Sequence, residues 1–88
     1  MRRARVDQNH GEVVEALRAA GAVVTSTASI GNGFPDLIAA KGELMWLIEV
    51  KGPKGKLTPD QVKWIGEWPG VVHIVRSKED ALTLVGEA

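Results

Sequence analysis

The chain has 88 residues, 44% of them hydrophobic and 25% charged, which suits one small core and leaves no room for a second. Eleven Lys and Arg balance eleven Asp and Glu, so the overall field neither demands nor forbids a polyanionic partner; affinity for nucleic acid has to come from local patches. There is no cysteine, which excludes a disulfide framework and any thiolate zinc site, and with two histidines a structural zinc site is not expected.

No apolar run approaches the length of a membrane span or a signal-peptide core, and the chain is expected to be soluble and intracellular. Folding at this size buries only roughly 60 to 65% of the surface of the open chain, so a partner subunit would add stability.

Residues 7 to 20 carry Val13, Val14, Leu17 and Ala20 at helical spacing, with Asp7 as N-cap and Gly21 as the stop. Gly11 weakens the first turns by about 1 kcal/mol relative to alanine. Residues 22 to 27 are rich in Val and Thr and predict a strand. A loop follows over 28–35, with two glycines and Pro35, whose backbone is expected to be mobile or close to a ligand.

Two strands, 36–40 and 44–51, are joined by Gly42 and Glu43 as a two-residue hairpin turn. The second strand is apolar on both faces, Leu44, Trp46, Ile48 and Val50 against Met45 and Leu47, so cover on both sides is expected. A polar loop over 51–56 leads to the strongest helix start in the chain: Thr58 as N-cap, Pro59 in the first helical position and Gln61 completing a capping box. That helix runs to Trp68 and stops at Pro69-Gly70. A last strand spans 71–75, and Ser77 caps a short helix near 79–82. The order α-β-β-β-α-β predicts an α/β fold, a mixed sheet flanked by helices.

A turn at Gly42-Glu43 sets Asp36 opposite Glu49. Directly opposed residues have Cβ atoms about 4.5 to 5.5 Å apart, close enough for two carboxylates to share one cation. Their mutual repulsion makes the pair costly unless a cation neutralises it. Strand alternation puts Lys51 on the same face as Glu49. A cation polarises a phosphoryl oxygen and lowers the pKa of a bound water, and the lysine stabilises a pentacovalent phosphate or orients the water. These are the parts for phosphodiester hydrolysis. Residues 51–63 carry Lys51, Lys54, Lys56 and Lys63 against Asp60, a net +3 suited to backbone phosphates. Ser29 and Asn32 of the preceding loop, and Arg2, Arg3 and Arg5, are further DNA-contact candidates.

Gly33-Phe34-Pro35-Asp36, then Glu49-Val50-Lys51, then Leu57-Thr58-Pro59-Asp60-Gln61 resembles the PD-(D/E)xK nuclease core, most of all its virus-type replication-repair branch (VRR-NUC) in minimal stand-alone form. The resemblance runs from about Val6 to Leu82, nearly the whole chain read as one domain over 1–88. It implies a restriction-endonuclease-like fold and a Mg2+- or Mn2+-dependent endonuclease acting on branched, junction-like DNA. Asp36, Glu49 and the Val50 carbonyl would be metal ligands and Lys51 the catalytic lysine. Gln61 would reach toward the site, although a capping box explains it equally well.

His10 departs from the pattern, standing where related nucleases often carry a glutamate. It shares a stripe with Val6, Val13 and Leu17, whereas Glu12 points away. His10 is a candidate for binding the cation, its water or the scissile phosphate, although a lone histidine on an apolar face is more often structural. Trp64 is expected in the core, and Trp68 at a subunit interface or against a base. His73 has no evident partner and reads as structural. One site on so small a chain favours a homodimer presenting two sites to a two-fold symmetric substrate. The alternatives are a non-catalytic DNA-binding module or subunit that needs a partner for cleavage, and an enzyme acting on RNA or free ends.

Overall fold

A computed structural model describes residues 9–86. Asp7, Val6 and the arginines at 2, 3 and 5 lie outside the described residues. Helix α1 (His10–Ala19) begins after Asn9 and buries Val13 and Leu17, one turn apart on one face. It stops where Gly21 takes a φ of +98° and donates its N–H to the Arg18 carbonyl, a left-handed exit that favours glycine.

Four strands follow in the spatial order β1-β2-β3-β4: β1 (Val23–Ser26), β2 (Leu37–Lys41), β3 (Leu44–Val50) and β4 (Val72–Val75). The first three are antiparallel, and β4 lies parallel to β3. A parallel pair cannot be closed by a hairpin. The crossover is supplied by α2 (Pro59–Glu67), and α3 (Lys78–Gly86) completes the chain.

Between β2 and β3 the turn is the expected one. Gly42 has a φ of +62°, and Lys41 pairs with Leu44, Ala39 with Trp46 and Leu37 with Ile48. The 36–40 strand starts one residue later than expected, because Asp36 uses its side chain rather than its backbone to meet β3. The final helix is longer than expected, since Ala81 and Val85, four residues apart, are both buried. A single apolar cluster joins Val13 and Leu17 of α1, Ala81 and Val85 of α3, and Val24, Leu37, Ala39, Trp46, Ile48, Val50 and Val75 of the sheet.

The loop after β1 forms a short 3-10 turn over Ala28–Ile30, and at Gly33 (φ +84°) it packs so close to α2 that a β-carbon would collide with the Asp60 carbonyl. Two expectations are corrected. The second face of β3 is not fully covered, because α2 buries none of its residues and Met45 remains 62% exposed. For the same reason Trp64 is half-buried rather than in the core. Two helices on one face of a mixed sheet and a looser third helix over the other give a restriction-endonuclease-like core in the order α-β-β-β-α-β-α.

Candidate active site

Thr27, buried just after β1, sets the position of Pro35 and Asp36. Its hydroxyl donates to the Pro35 carbonyl at 2.6 Å and its N–H to the Asp36 carbonyl at 2.7 Å. From there the Asp36 carboxylate accepts the Val50 N–H at 2.9 Å, which ties the start of β2 to the end of β3. An ionised carboxylate has lone pairs beyond this one bond, so Asp36 keeps capacity for a further partner.

Glu49 and Lys51 lie on the β3 face away from α1 and α3, as alternation requires. Glu49 is 1% exposed and Lys51 8%. The Lys51 ammonium stands 3.9 Å from Glu49 Oε2, a loose ion pair, and Gln61 Nε2 donates to the same oxygen at 2.8 Å. A buried carboxylate demands compensation from donors and cations. In Gln61 this compensation and the helix cap coexist. Gln61 Oε1 accepts the Thr58 N–H at 2.9 Å, Thr58 Oγ1 accepts the Gln61 N–H at 3.2 Å, and the remaining amide nitrogen faces Glu49. Gln61 thus caps α2 and touches Glu49 at the same time.

His10 opens α1, half-buried, and its Nε2 is shut off from solvent with no hydrogen bond among the described residues. Its neighbour Asn9 donates to the Lys51 carbonyl at 3.2 Å, which sets this helix start against the exit of β3. Glu12 does point away: it is solvent-facing and pairs with Lys78 at 3.8 Å. Among the described residues no three His, Asp or Glu side chains converge as a metal cluster, so His10 does not complete a three-residue set with Asp36 and Glu49.

Lys54, Lys56, Ser29 and Asn32 are exposed. Asn32, held at a φ of +56°, lines a cleft of about 280 Å³ with Asp60, Lys63, Trp64 and Glu67. Phe34 meets Trp64 edge-on at 5.1 Å, and Trp64 stacks on Trp68 at 5.0 Å, carrying an aromatic row from the Pro35-Asp36 loop out to the 42% exposed Trp68. Sequence reasoning missed Thr27, Asn9 and Arg76. Thr27 faces the Asp36 backbone by continuing the β1–β2 register, a signal available only once that pairing is known.

The VRR-NUC domain matches residues 4–68, a span that holds Asp36, Glu49, Lys51 and Gln61 in order. The chain belongs to the VRR-NUC family. Membership in VRR-NUC implies a nuclease-type function on DNA. No curated protein and no solved structure matches the chain significantly. Among the described residues no helix is long and apolar enough to cross a membrane.

Two carboxylates and a neighbouring main-chain carbonyl are hard oxygen donors, the kind Mg2+ and Mn2+ take. Such ions retain several waters, so this small donor set fits them.

Proposed function

We propose that this chain is a divalent-metal-dependent endonuclease that hydrolyses phosphodiester bonds in branched DNA, as one nuclease domain working in a homodimer. The observation that carries the reading is the Glu49 carboxylate. It is buried, faces the Lys51 ammonium at 3.9 Å and Gln61 at 2.8 Å, and belongs to a strand end tied to Asp36. Asp36, Glu49 and the Val50 carbonyl would hold the cation. In an antiparallel ladder the N–H and C=O of one residue leave on the same edge, so the Val50 carbonyl shares the edge on which its N–H meets Asp36.

Mg2+ or Mn2+, when bound, polarises the scissile phosphoryl oxygen and lowers the pKa of an attacking water. The chain's own groups do the rest. Lys51 faces the charge that builds on the phosphorane as the water oxygen bonds to phosphorus and the bond to the leaving sugar oxygen breaks. Gln61 fixes the Glu49 carboxylate in one orientation. His10 orders water or the scissile phosphate at the start of α1. Lys54, Lys56, Ser29 and Asn32 hold the DNA backbone, so binding weakens steeply with salt.

Homodimerisation is supported by the incompletely covered sheet face, on which Val23 and Met45 are exposed and Ile38, Leu47 and Val72 half-buried. Val23, Ala40 and Met45 form one row across it, and Thr25, Ile38, Leu47 and Val72 the next. These rows carry no charged side chain to meet a phosphate. A second copy fits them better than DNA does.

The decisive experiment incubates labelled four-way junctions, flaps, linear duplex and RNA with Mg2+ or Mn2+. Selective cutting of branched DNA, lost in Asp36→Asn and in Lys51→Ala while circular dichroism shows both variants folded, is the expected result. Binding without cutting by the unmodified protein would instead favour a DNA-binding subunit, the reading to which His10 and the lack of a three-member cluster among the described residues lend support. Cutting confined to RNA or free ends would overturn the substrate assignment.

A further inference from the structure

Arg76 follows β4 and lies beyond the span matched by the VRR-NUC domain. Its side chain turns back to the loop behind Lys51, where Nη1 donates to the Gly52 carbonyl at 2.8 Å and to the Gly55 carbonyl at 2.7 Å. The same two residues close a turn, with the Gly55 N–H on the Gly52 carbonyl at 3.1 Å. A guanidinium is permanently charged and presents its donors in a fixed fork, so these bonds are charge-assisted and directional.

The clamp is itself fastened. The Arg76 N–H donates to Asp80 Oδ2 at 2.9 Å, and its carbonyl accepts from Asn9 Nδ2 at 3.0 Å, the amide that also reaches the Lys51 carbonyl. On the other side the Lys51 N–H donates to the Val75 carbonyl at 2.9 Å. Asn9, just before α1, and Val75 of β4 thus fix the backbone at Lys51, while Asp80 of α3 fixes Arg76, which holds Gly52 and Gly55.

Left alone, a Gly-Pro-Lys-Gly turn would wander. Its two glycines are conformationally free, and Pro53, Lys54 and Lys56 are exposed, so apolar burial does not anchor it. We propose that Arg76 is a positioning residue for substrate binding: by gripping both ends of the turn it aims Lys54 and Lys56 at the backbone of the DNA lying over Glu49 and Lys51, without contacting DNA itself. This rests on the nuclease reading above, and it names the device that presents the loop's positive charge to that substrate.

The test is a double-mutant cycle on the full chain with a four-way junction as probe. Arg76→Ala is expected to raise Kd and KM roughly tenfold and to flatten the salt dependence of binding, as losing aimed phosphate contacts does. Its kcat should stay within about twofold of the unmodified value, because Glu49 and Lys51 keep their own partners. Arg76→Lys, which keeps donors but not the fork, should recover part of the loss. In a Lys54→Ala/Lys56→Ala background Arg76→Ala should add little further. Without DNA, the Gly55 amide of Arg76→Ala should exchange faster by NMR.

Equal losses in both backgrounds would mean that Arg76 touches the phosphates directly, and would overturn the proposal. So would a loosened turn with unchanged Kd and salt slope. The two readings fail separately. If the unmodified chain neither binds nor cuts DNA, the nuclease reading falls and the positioning role with it; if it cuts, and Arg76→Ala cuts with the same KM, only the positioning role falls.

Discussion

Gln61 joins the helix start to the buried carboxylate through one amide group, so its loss and the loss of Thr58 should separate two effects. Thr58→Ala removes a single cap acceptor and should cost about 1 kcal/mol in urea denaturation while leaving cleavage near normal. Gln61→Ala removes the reciprocal cap bond and a donor to a buried carboxylate, and should cost about 2 to 3 kcal/mol, with cleavage falling as well. Equal activity in the two variants would mean that the Glu49 contact is structural only. Gly33 gives a sharper test of local fit. Gly33→Ala must hold a left-handed φ and at the same time push the Asp60 backbone away, and a destabilisation of about 2 kcal/mol or more is expected, with a shift in tryptophan fluorescence as Phe34 and Trp64 separate.

At the scale of elements, α2 is the loosest large piece. It buries no residue and is held by its Gln61 bond, the Gly33 approach and the Phe34–Trp64 contact. Hydrogen exchange should therefore show its amides opening at lower free energy than those of β2, β3 and α1; equal protection would contradict this account. What the sequence disclosed follows the same division. The Gly42-Glu43 turn, the alternation of Glu49 and Lys51 and the Thr58-Pro59 start of α2 are local patterns, each written within a few residues, and all three were legible. The clamp of Arg76 was not, because its acceptors are main-chain carbonyls 21 and 24 residues away, which carry no side-chain signature. The openness of the β3 outer face was hidden too: apolarity on both faces demands cover, but it does not say whether the chain itself provides it.

For the molecule as a whole, the partly covered rows of the sheet end at Glu49 and Ile74, so the surface proposed for a second copy borders the carboxylates. Met45→Glu and Val23→Lys place charge at the two most exposed apolar positions of these rows, 62% and 74%. Sedimentation should then show monomer where the unmodified chain shows dimer, and junction cutting should fall more than cutting of a simple flap. A dimer unaffected by both changes would put the interface elsewhere.

The segment from Lys51 to Thr58 is gripped at one end by Arg76, Asn9 and Val75 and at the other by the capping box. It behaves as a ruler between the amine and the helix that braces its carboxylate. Unlike most surface stretches, it should therefore reject a one-residue insertion after Lys56, because an added increment of chain has to be taken up by detaching one grip or the other.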